Sequence, residues 1–177
     1  MQGIKNALYA GIDSIEHGCF LDDECLERMK EQNTFLVPTL CAPQCIIDKG
    51  VENGVAKYAV DKTLKVKDSH VESVKKAYEK GIPIALGTDA GTPFNYHNNT
   101  AYEMELLARL NIPNMDILKM ATINSARCVG VEKDYGSIEV GKQADLVCLN
   151  ENPLENISNV RKINRVIQSG KIVVDNN

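Results

Sequence analysis

Residues 82–86, IPIAL, place five apolar side chains in succession. A run this short, with no polar alternate, fits a strand buried on both faces, as in a parallel sheet. Parallel strands cannot be joined by tight turns. They need crossovers of a dozen residues or more, usually helical. The rest of the chain supplies both parts. Residues 12–16 and 34–40 (TFLVPTL) are two further short strand-like runs, and Pro38 predicts that pairing of the second stops near it. Residues 3–10 read as helix, ended by Gly11. A second helix runs to about Gln32, with Asp22 or Asp23 as its cap and acids in its first turn. Ile46 and Ile47 fit a third, broken at Asn53-Gly54, and Val71, Val74, Ala77 and Tyr78 recur at helical spacing up to Gly81. Past IPIAL, TAYEMELLARL is a helix with Met104 and Leu107 inward, and residues 115–129 hold a helical pair. The alternation predicts parallel strands near 12–16, 34–38 and 82–87, side by side in that order, with helices outside.

From Gly136 the pattern changes. GSIEVGKQADLVCL and INRVIQSGKIVV read as short strand pairs with tight glycine turns, and Ser169-Gly170 between two apolar runs marks a hairpin. The expected organisation is a barrel-like α/β part over residues 1–130 followed by a small antiparallel β appendage over 131–177.

Charge and composition narrow the function classes. A net charge of −4 recommends neither a nucleic-acid partner nor an anionic membrane surface. No run approaches the ~20 apolar residues that span a bilayer. No secretory leader is read at the N-terminus, and the expected compartment is the cytoplasm. Six cysteines at irregular spacing read as free, mostly buried thiols, and Cys41-x-x-x-Cys45 lacks the second pair that would make it a zinc motif.

In parallel α/β barrels the working residues sit at the C-terminal ends of the strands. Two predicted strands end alike: one in Glu16-His17-Gly18, the other in Thr88-Asp89-Ala90-Gly91. Each puts a metal-capable side chain just past the last buried residue, with glycine close behind. Imidazole and carboxylate together suit zinc or a similar divalent ion. Equally, a lone histidine at a strand end can be a polar residue at a turn, and TDAG is a common loop sequence. His97, in the loop after Asp89, is either solvent-exposed ahead of the next helix or a contact for substrate; His70 reads as a residue of a polar helix with no role in a site.

SIEHG, VPTL, IPIALGTDAG, ATINSARCVGVEKDYGSIEVGKQADLVCLNENPLENI and VIQSGKIV together resemble the C-terminal half of a metal-dependent amidohydrolase of the imidazolonepropionase-like and Xaa-Pro-dipeptidase-like branch. The run from Ala121 to Asn152 carries the most specific part, the pattern T-x-N-A-A…G-x-I-x-x-G-x-x-A-D-L, with Ser125 where the family usually has alanine. The resemblance implies strands six to eight of a (β/α)8 barrel with part of a β-sandwich appendage. It implies His17 as the sixth-strand metal ligand, and Asp89 as the eighth-strand residue that binds metal and takes the proton of the attacking water. Glu16 would turn toward the barrel wall or hydrogen-bond behind the ligands. His97 would stand where relatives carry a substrate-side histidine.

The family's other ligands, a His-x-His on the first strand, a Lys or Glu on the fourth and a His on the fifth, have no counterpart: the chain contains no His-x-His. The expectation is therefore an amidohydrolase, or the C-terminal portion of one, that cleaves a C–N amide bond in a small cyclic amide or dipeptide-like substrate with a divalent metal such as zinc. The alternative is a non-catalytic truncated or split-barrel subunit that needs an N-terminal half to form the metal site. The chain alone is expected to bind the ion weakly or not at all, and to pair with that N-terminal half or with itself.

Overall fold

The computed structural model describes residues 2–176. Helix α1 (Gln2–Tyr9) leads into strand β1 (Ser14–Glu16), followed by α2 (Asp23–Gln32), β2 (Phe35–Val37), α3 (Cys41–Lys49) and the long α4 (Lys57–Glu79). Helix α2 starts as its acids dictate, with the Asp22 carboxylate accepting from the Cys25 amide at 2.9 Å. Gly81, at φ +74°, ends α4 in the left-handed conformation that glycine adopts without a Cβ penalty.

β1 and β2 pair in parallel, Ser14 opposite Phe35 and Glu16 opposite Val37. The 82–87 run lies on the far side of β2: the Leu36 amide donates to the Pro83 carbonyl at 2.9 Å, and the Ala85 amide to the Leu36 carbonyl at 3.0 Å. The three segments stand side by side in the predicted order. The third, however, is one bridge long rather than a full strand. Pro83 has no N–H to give a ladder, and helical side chains take up the outer edge. Asn124 donates to the Ile84 carbonyl at 3.1 Å, and the Leu86 amide donates to the Ser125 hydroxyl at 3.1 Å. Ser125 thus does what an alanine there cannot.

Helices α5 (Thr100–Ala108), α6 (Asn114–Lys119) and α7 (Ser125–Cys128), the last two joined by a π-helical turn over Met120–Asn124, complete the helical layer. One apolar cluster sits between helices and strands, with Leu8, Leu26, Met29, Leu36, Val74, Leu107 and Ile117 fully buried. Burial of each such side chain is worth roughly 1.5–3 kcal/mol. It draws on the Ile15 and Leu36 face of the strands. On β1 the opposite face carries Ser14 and Glu16, and Glu16 is exposed.

The antiparallel sheet is ordered β3 (Leu146–Leu149), β4 (Ile163–Gln168), β5 (Lys171–Asp175), with the predicted Ser169-Gly170 turn at positive φ in both residues. The expected pairing of the Gly136 segment does not occur. Residues 136–141 run as turn and loop, and Ile138 and Val140 are exposed at 88% and 107%. Val147, Ile172 and Val174 are exposed as well. Exposure alone does not prevent a strand, since β5 is exposed along its whole length and still pairs with β4; what the 136–141 segment lacks, among the described residues, is a strand beside it. The cysteines also differ in part from expectation: all six are free, but only Cys25, Cys41 and Cys45 are buried, and Cys148 is exposed. No described helix is long and apolar enough to cross a membrane.

Candidate active site at the strand ends

Because the three segments are parallel, their C-terminal ends share one edge. There the backbone does something unusual three times. His17 has φ +64°, Thr39 +54° and Asp89 +55°. Left-handed backbone is uncommon outside glycine, and for a β-branched residue such as Thr39 it is an outlier costing on the order of 1–3 kcal/mol. Each residue follows shortly after its strand, so the chain turns sharply out of the sheet and leaves a side chain at its rim.

The first turn is held by sequence and packing. The His17 amide extends the ladder to the Val37 carbonyl at 2.8 Å. Gly18, at φ +67°, is buried so tightly that a Cβ would lie 2.4 Å from Leu36 Cδ1. Glycine is required twice over there, by conformation and by space. The His17 side chain is exposed at the rim, with Nδ1 2.6 Å from the buried Thr39 hydroxyl. Glu16 accepts from the nearby Ser14 hydroxyl at 3.1 Å.

The Asp89 turn is tied from behind by Asn95, which is 1% exposed. Its side-chain amide donates to the carbonyls of both Thr88 and Asp89, and Thr92 Oγ1 donates to the Asp89 carbonyl at 3.2 Å. These bonds fix the backbone and leave the exposed Asp89 carboxylate directed by its turn. His97 is exposed in the same loop.

Two buried polar side chains, His70 and Glu103, brace the backbone on either side of Thr39. His70, read as part of a polar helix, is 2% exposed, and its Nε2 donates to the Pro38 carbonyl at 2.8 Å. Burial lowers its pKa, keeping the ring neutral, while the backbone of Pro38 and of His17 pulls the other way. Glu103, on α5, is fully buried and accepts from the amides of Leu40 and Cys41 at 2.8 and 2.6 Å. It caps α3, which has no side-chain cap of its own. Desolvation pushes its pKa up to about 7, against the two amides that favour the charged form.

The signals were present. His70, Val74 and Ala77 share one face of α4, and Asn95, Asn99 and Glu103 are spaced by four residues. Asn99 donates to Asn95 Oδ1 at 3.1 Å and to Cys45 Sγ at 3.6 Å, and the Cys41 thiol donates to the Asn99 carbonyl at 3.6 Å. The Asp89 turn and the segment following Thr39 are thereby joined through α5. Burial drives the Cys41 thiol well above its ordinary range, so the Cys41/Cys45 pair is no thiolate site.

An imidazole and a carboxylate at one rim are donors of the kind a divalent ion takes. They are fewer than the three protein ligands usual for a catalytic ion. Among the described residues no group of three or more His, Cys, Asp or Glu is placed to hold one. The rim fits such an ion in kind, and the rest of a ligand set would have to come from elsewhere.

The same architecture occurs in known proteins. A solved Xaa-Pro dipeptidase with bound methionine in its active site superposes with a TM-score of 0.88 and 37% sequence identity, over 97% of this chain and 42% of that one. Ochratoxinase of Aspergillus niger is 32% identical over 177 residues, 96% of this chain and 35% of its own length. Imidazolonepropionase of Shouchella clausii is 31% identical over 133 residues, 73% of this chain and 30% of its own. The chain thus spans less than half the length of these relatives. The fold corresponds to a C-terminal part of their amidohydrolase barrels, with a small antiparallel sheet attached. The amidohydrolase family model matches residues 2–173, from α1 through the last strand, and to that family the chain belongs.

Proposed function

We propose that the rim bearing His17, Thr39 and Asp89 is part of a metal-dependent hydrolytic site that cleaves a C–N amide bond in a small molecule, a cyclic amide or a dipeptide-like compound. The observation that carries the reading is the triple left-handed turn at three adjacent strand ends, which holds His17 and Asp89 at one edge. Strain of this kind persists where the surroundings over-determine it, and it gathers at functional sites. The names of the relatives, a Xaa-Pro dipeptidase and an imidazolonepropionase among them, support the substrate class.

In this reading His17 and Asp89 hold a divalent ion, zinc or one like it, with further ligands from protein outside this chain. The ion supplies Lewis acidity to a carbonyl and acidity to water. Asp89 accepts the proton of the attacking water and returns it to the departing nitrogen, as a carboxylate at the mouth of the site can in both directions. In the same reading His97, exposed in the loop after Asp89, contacts the substrate. The same outside protein covers the exposed Glu16 side of the strands and the bare apolar residues Ile138, Val140 and Val174.

The test is hydrolysis of a proline dipeptide and of a cyclic amide, by the chain alone and by the chain combined with a family N-terminal segment carrying His-x-His. Turnover is expected only in the combination. A combination that assembles, binds metal and still shows no turnover on amides would favour a non-catalytic split-barrel subunit.

A further inference from the structure

Three short contacts meet at the end of β2, and each needs a proton. Thr39 Oγ1 lies 2.7 Å from the Pro38 carbonyl, His17 Nδ1 lies 2.6 Å from Thr39 Oγ1, and His70 Nε2 lies 2.8 Å from the same Pro38 carbonyl. A carbonyl only accepts, and it can accept twice. So the His70 contact carries the Nε2 hydrogen. The Thr39 hydroxyl has a single hydrogen. Were it given to His17 Nδ1, two oxygens would face each other at 2.7 Å with nothing between them. Given to Pro38, it leaves the hydroxyl oxygen to accept from His17, and the Nδ1 contact must then hold the histidine's own hydrogen. Only this arrangement puts one proton in every contact.

A neutral imidazole has one N–H, and which nitrogen carries it is set by the bond the other ring atom makes. With Nδ1 protonated, the lone pair of His17 is on Nε2. We infer that Thr39 is a positioning residue: its hydroxyl, oriented by the Pro38 carbonyl that His70 also holds, fixes His17 as the Nδ1–H tautomer and so leaves on Nε2 the lone pair that would take a divalent cation. The inference rests on the proposed role of His17 as a metal ligand. It explains why a buried threonine, 3% exposed, occupies a left-handed backbone position that its branched side chain disfavours. A methyl or hydrogen there would satisfy the turn more easily but would supply no acceptor. Partners of this kind orient ligating histidines and raise their basicity.

The experiment is a long-range 1H–15N correlation spectrum of the histidine rings in the uniformly labelled chain at pH 8, with no metal added. His17 and His70 are expected to show opposite tautomers, His17 protonated at Nδ1 and His70 at Nε2. In Thr39→Val the His17 pattern should move to the Nε2–H form that a histidine ring prefers in water, and in Thr39→Ser the wild-type pattern should return. His17 protonated at Nε2 in the wild type, or averaged between the two forms, would overturn the inference. So would a Thr39→Val spectrum unchanged at His17. If Thr39→Val does not fold, the wild-type spectrum still decides. Because no metal is used, the outcome stands apart from the hydrolase reading: His17 with Nδ1–H in a chain whose assembled form binds no metal would leave the tautomer assigned and refute the metal role.

Discussion

Asn in place of Asp89 is expected to lower amide hydrolysis by the assembled enzyme by about 10²–10⁴-fold, the usual worth of a positioned proton acceptor. The substitution leaves the turn intact and removes both the proton acceptor and a charged donor to the ion, so metal content is measured beside the rate to tell the two losses apart. Asparagine tolerates left-handed backbone almost as well as any residue but glycine, so the φ of +55° costs it little. The bonds that shape the turn come from Asn95 and Thr92 to backbone carbonyls and do not involve the carboxylate. The variant should therefore melt at the wild-type temperature and keep its size, while the amide oxygen and nitrogen that replace the carboxylate cannot take a proton at neutral pH. Steady-state kinetics beside a thermal melt separate the two effects. A variant as active as the wild type would remove Asp89 from the chemistry.

The second large effect is on stability and its pH dependence. In an unfolded chain Glu103 titrates near 4.5, and in the fold burial raises it to about 7. Between those values the folded state binds more protons than the unfolded one. Stability contributed through this group is thus fully present below pH 4.5, falls as pH rises, and is lost above pH 7. The shift corresponds to roughly 3 kcal/mol. Glu103→Gln cannot ionise and keeps one oxygen for the Leu40 or Cys41 amide, so it should abolish this slope. Urea unfolding of both proteins at pH 5 and pH 8 reads the difference directly, with other titrating groups cancelling between them. The wild type is expected to lose 2–3 kcal/mol more than the variant across that range, to order of magnitude. Equal losses would mean that the two amides, which favour the carboxylate, outweigh its desolvation.

Much of the fold was legible because local rules and burial agreed. The acidic opening of α2 produced the Asp22 cap, and the parallel order of β1, β2 and the 82–87 run followed from apolar runs separated by helices. What failed was what depended on neighbours. The 82–87 run reads as a whole strand, but its length is set by Asn124 and Ser125, some forty residues away. Ile138 and Val140 alternate as a strand would, yet a strand needs a partner, and their side chains face solvent. At the site, His17 and Asp89 stood out because a strand rarely ends on such residues. Thr39, His70, Asn95 and Glu103 did not, since each is polar in a way that looks solvated until the fold buries it. For His70 and Glu103, position on an apolar helix face was the available warning.

The central claim is that this rim holds part of a metal site. The measurement that bears on it most directly is zinc content after exhaustive dialysis, for the chain alone, for the chain assembled with a His-x-His-bearing N-terminal segment, and for the same assembly with His17→Ala. Two donors cannot fix the three-ligand geometry that a catalytic ion needs. The chain alone should therefore retain well under one zinc per molecule, the assembly at least one, and the His17→Ala assembly should lose zinc while remaining assembled. Tight stoichiometric zinc in the chain alone, or undiminished zinc in the His17→Ala assembly, would contradict it.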